Sequence, residues 1–148
     1  MWNNKKSAFV SLVCVYVFMA VLVVCIILTK LIVESYISWG ARPETLFNVL
    51  RYSIYASSIP AAVVLVALRQ LLTNIVKDKI FIKQNITCIR VISYSIVAFA
   101  LITFVCGFFY MPYFIISLAA AFMSLIIRVI KNVMAAALEI KSENELTI

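Results

Sequence analysis

The chain has 148 residues, of which 66% are hydrophobic and 13% charged, with two glycines, three prolines, four cysteines and no histidine. Soluble domains run at about 45–50% apolar and about 25% charged, so the composition argues against a water-soluble globule. The formal charge of +7 raises nucleic acid as a partner, but most of the basic residues flank apolar runs, where anionic headgroups attract each by about 1 kcal/mol; no direct nucleic-acid contact is expected.

In chain order, the first apolar run covers residues 7–29, enough to cross a hydrocarbon core that needs about 20 residues. It exceeds the ~7–15 residues of a signal peptide's apolar region and no small-x-small cleavage site follows, so it reads as an uncleaved span. The connection that follows, "KLIVESYISWGARPETLF", reads as a short outer loop. There Gly40 loosens the chain, and Pro43 and Glu44 suit the positive first turn of the next helix.

The second run covers residues 46–68. Pro60 removes one helical hydrogen bond and frees the carbonyl of Ala56, so a kink is expected, with the hydroxyl of Ser57 or Ser58 helping to satisfy the backbone. Ser53, Ser57 and Ala61 recur every four residues and form a small-residue stripe for close helix packing. Arg51 lies about two turns inside this span, where a charge is costly and a functional suspect; it is expected to snorkel outward or to pair with Glu34 or Glu44. Arg51, Ser57 and Pro60 are the candidate intramembrane polar site.

The inner loop "LTNIVKDKIFIKQNIT" carries Ile75, Val76, Ile80, Phe81 and Ile82, which suit the membrane interface while the lysines meet headgroups. The third and fourth runs, 86–110 and 112–130, are joined so briefly that they must be antiparallel neighbours, with Pro112 opening the second. At about 1.5 Å per residue, a helix starting there uses up the ~30 Å core near Lys131. Residues 132–148 are therefore expected as a cytoplasmic tail that begins as helix. None of these runs alternates in polarity as barrel strands do. The expected fold is all-α: one domain over residues 1–148, an integral membrane four-helix up-down-up-down bundle with a short C-terminal helical extension.

Orientation follows from the thirteen basic residues. With the N-terminus inside, Lys5, Lys6, Arg69, Lys77, Lys79, Lys83, Arg90, Arg128, Lys131 and Lys141 are cytoplasmic and only Lys30, Arg42 and Arg51 outside, the asymmetry of an N-in, C-in protein. Aromatic belts agree: Trp2 at the inner boundary, and Tyr36, Trp39, Phe108, Phe109, Tyr110 and Tyr113 at the outer. The absence of histidine removes the commonest general base and metal ligand. Cys14, Cys25, Cys88 and Cys106 show no C-x-x-C spacing and read as small hydrophobes, although Cys25 and Cys106 reach the same outer level and leave a disulfide open. No catalytic residue, metal site or cofactor is expected.

The stretch "IPAAVVLVALRQLLTNIVKDKIFIKQNITCIRVISY", the spans after it and the closing "ALEIKSENELTI" resemble the small four-span bacterial membrane proteins of domain-of-unknown-function family 2975, over almost the whole chain. Two signatures carry the resemblance. Members resemble Gly-x-x-Phe-Ser/Thr-x-x-Asn before span three, of which Phe81 and Asn85 are kept. They end in Lys-x-Glu-Asn-x-Leu-Thr-hydrophobic, matched by Lys141, Glu143, Asn144, Leu146, Thr147 and Ile148. Asp78 falls near the usual Gly, and Ile82 replaces the capping Ser/Thr, a loss of ~1 kcal/mol unless Asn85 takes over; span three is expected to start late or fray at its inner end. The resemblance implies a bacterial cytoplasmic membrane and, because such genes resemble those found beside a small helix-turn-helix regulator, a cytosolic transcription factor as partner.

Two functions are expected from these residues. In the first, a non-enzymatic regulatory or interaction protein engages a cytosolic partner through the 75–85 loop and the 139–148 tail, with Leu146 and Ile148 as apolar anchors beside Glu143 and Glu145. The same tail also suits folding back onto Lys77, Lys79 or Lys83. In the second, a small transporter, channel or bacteriocin-immunity-type protein acts at the outer face through Arg51, Tyr52 and Tyr55, which requires a polar cavity between spans. A homo-oligomer is compatible with both.

Overall fold

The computed structural model describes residues 4–146. Trp2, Thr147 and Ile148 lie outside the described residues, as does the side chain of Leu146. The chain forms five helices: α1 (Asn4–Ile27), α2 (Thr29–Trp39), α3 (Leu46–Val76), α4 (Lys83–Gly107) and α5 (Pro112–Leu146). Four of them are long and apolar enough to cross a membrane, in keeping with the four apolar runs. α1 starts, α3 ends, α4 starts and α5 ends at one end of the bundle, here the basic end. The opposite, aromatic end carries α2 and the short α4–α5 turn.

The helices pack in chain order, α1 on α3, α3 on α4 and α4 on α5, with α2 laid over the start of α3. Most apolar bulk points outward: Phe18, Leu101, Leu118 and Phe122 are all exposed. The buried set is small and partly polar, including Ser53, Ser93, Ala100, Thr103, Ser117 and Ser124. This inverts the pattern of a soluble protein because hydrocarbon solvates leucine and phenylalanine as well as a core does; close backbone approach and interhelical hydrogen bonds are what remain to hold spans together.

The α4–α5 pair shows this most clearly. The Ser93 hydroxyl lies 3.3 Å from the Ser124 carbonyl and the Ser124 hydroxyl 3.3 Å from the Ser93 carbonyl, while Ser117 donates to the carbonyl of Ala100 at 2.8 Å. At the turn, Gly107 is buried beneath Phe114, which makes edge-on contacts with Phe104 and Phe108 at 5.5 and 5.3 Å between ring centroids.

Several expectations are corrected. The segment after Thr29 is not a loop: α2 continues almost without a break, and the Thr29 hydroxyl, fully buried, donates back to the carbonyls of Cys25 and Ile26 at 2.7 and 3.0 Å, a local competition that marks the α1–α2 junction. In the next turn Ala41 adopts a positive φ of 47°. α3 is one helix through the buried Pro60, and Ser58 donates to Tyr55 at 2.7 Å, one residue short of the carbonyl that the proline frees. α4 starts at Lys83, earlier than expected and without a side-chain cap.

Candidate functional site

At the basic end, α3 stops in a two-bond lock. The Lys79 N–H donates to the Asn74 carbonyl at 2.9 Å and the Asp78 N–H to the Ile75 carbonyl at 3.0 Å, with Asp78 at φ 60°. These are the six-to-one and five-to-two bonds of a Schellman motif, whose left-handed position normally takes glycine. Asp78 meets this backbone requirement with its Cβ in place.

The loop that follows is held from below by Asn85. Its side chain is fully buried, donates to the carbonyls of Lys79 and Ile80 at 2.8 and 2.7 Å, and accepts from the Asn74 amide at 2.8 Å. Asn85 thus ties the loop to both helices and presents no surface of its own. The helix cap is Ile82, in extended conformation. The clamp leaves Ile80 and Phe81 exposed, between Lys77, Lys79 and Lys83, which are exposed as well. Of the two loop residues singled out from the sequence, Phe81 is a surface and Asn85 its support.

α5 extends this surface away from the bundle. Its 35 residues span about 52 Å at about 1.5 Å per residue. Carried ten residues on from the facing Ser93 and Ser124, the antiparallel register sets Lys83, the first residue of α4, opposite Met134. Residues 135–146 therefore run about 18 Å past α4 as unbroken helix. Lys141, Glu143 and Asn144 are exposed on this projection. The described part of the tail continues as helix to Leu146.

The intramembrane candidates are spread over different surroundings. Arg51 reaches neither Glu34 nor Glu44: Glu34 pairs with Lys30 at 3.8 Å, whereas the Arg51 guanidinium lies 5.8 Å from the centre of the Tyr55 ring and its Nε is buried without a hydrogen-bond partner. Ser57 lines a cavity of about 280 Å³ with Cys25, Ser53 and Tyr113. Pro60 lines an apolar one of about 390 Å³ among α1, α3 and α4. Cys25 and Cys106 are free thiols, which settles the open disulfide.

The aromatic end holds a polar cavity of about 570 Å³ lined by Glu34, Ser38, Arg42, Glu44 and Asn48. It shares no lining residue with the two cavities beneath it. Arg42 stacks on Tyr36 at 3.8 Å, and the Tyr36 hydroxyl is hydrogen-bonded to that of Tyr110. This cluster was not singled out from the sequence beyond its aromatic belt, because the three residues between Trp39 and Pro43 gave no sign that Arg42 would turn back onto Tyr36.

No curated relative and no solved structure matches the chain. The family described as "Protein of unknown function (DUF2975)" matches residues 3–148, a range that takes in both the loop held by Asn85 and the projecting end of α5. With four helices able to span a bilayer and a match over nearly its whole length, the chain is a membrane protein that belongs to the DUF2975 family.

Proposed function

We propose that this protein is a non-enzymatic membrane adaptor whose basic end faces the bacterial cytoplasm and binds a cytosolic partner, with a helix-turn-helix regulator as the partner class. The orientation rests on the basic residues gathered at the ends of α1, α3, α4 and α5 beside the termini. The observation that carries the reading is the end of α5: an unbroken helix that continues past the start of α4 and, beyond the half-buried Leu138, presents the exposed Lys141, Glu143 and Asn144 at the same end of the bundle as the exposed Phe81. A helix held rigidly at one end offers a docking face without the ordering cost of a flexible tail.

Deleting residues 142–148 tests it. Membrane insertion and the folded core should persist, because the deleted residues lie beyond α4, while co-purification of the regulator from gently solubilised membranes should be lost. Undiminished recovery of the regulator with the truncated chain would refute the docking role.

A second reading, a small transporter, channel or immunity-type protein acting at the aromatic end, draws support from the polar cavity around Arg42 and from the unpartnered Nε of Arg51. It is the weaker one, since that polar cavity shares no lining residue with the cavities deeper in the bundle. Unchanged flux or resistance with Arg51→Ala in a sensitised host would remove it.

A further inference from the structure

Beyond Lys131, where about 30 Å of helix from Pro112 has used up the hydrocarbon layer, the exposed residues of α5 through Asn144 are polar with three exceptions: Val133, Ala136 and Ile140. Val133 and Ile140 are 64% and 60% exposed. These three are the continuation of a line that begins inside the membrane. Phe122, Ile126, Val129, Val133, Ala136 and Ile140 are separated by four, three, four, three and four residues, and all are exposed. Ser117 and Ser124, which pack on α4, lie on the opposite side of the helix.

Lipid can cover the first three of these residues but not the last three. Whatever covers the whole line must be apolar in hydrocarbon and must continue as helix into water in the same register. α5 of a second copy meets both conditions. Alternation of four and three is the seam of a left-handed coiled coil, in which the β-branched Ile126, Val133 and Ile140 occupy every seventh position, as at the a positions of parallel pairs, with Phe122, Val129 and Ala136 between them. The flanking Glu139 and Asn144 place no like charges across such a pair, and the seam ends at Ile140, since its next position is Glu143.

We infer that α5 is a homodimerisation helix: two copies pair in parallel along the face turned away from α4, from Phe122 in the membrane to Ile140 outside it. The inference goes beyond the docking reading and does not depend on it, because the dimer forms from the purified chain alone.

Two measurements test it. The purified unmodified chain in lipid nanodiscs should have the mass of two 16.7 kDa chains, and the double variant Val133→Glu, Ile140→Glu should be monomeric while keeping its helix content. In a background lacking the four native cysteines, Ile140→Cys and Val133→Cys should form disulfide-linked dimers on mild oxidation at least tenfold faster than Ser142→Cys, which lies off the seam. A monomeric unmodified chain, a dimer that survives both glutamates, or cross-linking at Ser142→Cys as fast as at Ile140→Cys would each overturn the inference.

Discussion

The side chain of Asn74, near the end of α3, donates to the side chain of Asn85, in the first turn of α4, at 2.8 Å, and the remaining donors of Asn85 hold the backbone between them. Two polar side chains thus set the shape of the only sizeable connection at the basic end. Because Asn85 is fully buried, nothing replaces its bonds when they are lost.

Asn85→Ala should therefore orphan the Lys79 carbonyl and the Asn74 amide, at about 1–3 kcal/mol for each group that water does not reach, and leave the Ile80 carbonyl with only the Ile82 N–H at 3.2 Å. Asn85→Asp should be comparably damaging, since it keeps the shape but loses both donors. Trypsin cleavage at Lys77 and Lys79 and amide exchange over residues 77–82 measure the effect. Cleavage as slow as in the unmodified chain would show that the clamp does not hold the loop.

Asp78 and Ala41 adopt positive φ, 60° and 47°, in two turns of the same design; the Arg42 N–H donates to the Ile37 carbonyl at 3.2 Å as that of Lys79 does to Asn74. A Cβ in this region costs roughly 1–2 kcal/mol, and glycine gives back about 0.4–1 kcal/mol by freeing the unfolded chain. Ala41→Gly should accordingly stabilise the protein modestly in equilibrium unfolding in detergent. At the other turn, Asp78→Gly should be more stable than Asp78→Ala; both remove the carboxylate, and only the second retains the strained Cβ. The reverse order would show that φ does not govern these turns.

Gly107 sits where a Cβ would stand 2.7 Å from Cδ1 of Phe114. Gly107→Ala must displace that ring from its contacts with Phe104 and Phe108, at about 1–3 kcal/mol for overpacking. Adding Phe114→Ala to Gly107→Ala should remove most of the further loss, which a double-mutant cycle reads as coupling. Additive losses would mean that the two residues do not oppose each other.

Arg69 donates through Nε to the Tyr16 hydroxyl at 2.8 Å and joins α1 to α3 near the basic end. Tyr16→Phe keeps the ring beneath the guanidinium and removes only this bond, so a loss of about 1 kcal/mol is expected. Arg69→Ala should loosen α1 more, seen as faster proteolysis or exchange in α1 with α4 and α5 unaffected. Equal effects on all helices would rule out a local tie.

Much of the architecture was legible because a bilayer imposes a length that composition cannot hide. Four runs of about 20 apolar residues mark four spans, and the turn around Met111 is too short for anything but antiparallel neighbours. The candidate loop was legible in part. Phe81 and Asn85 stand out in sequence, but that one is surface and the other support depends on Asn74 and on carbonyls that no pattern announces. The left-handed turn at Ala41 was not legible, because the bond from Arg42 to Ile37 sets the geometry by position, not by residue type.

What the amino-acid order determined by itself is the solvent: apolar length, the clustering of basic residues and the polar final segment place each stretch in hydrocarbon, at the interface or in water. What only the tertiary structure decided is which surfaces are already used. Lipid is as apolar as the side chains that face it, so hydrophobicity does not distinguish the face of α5 that packs on α4 from the face that looks away. Packing of small residues and hydrogen bonds between facing serines make that choice, and they leave the line from Phe122 to Ile140 uncovered.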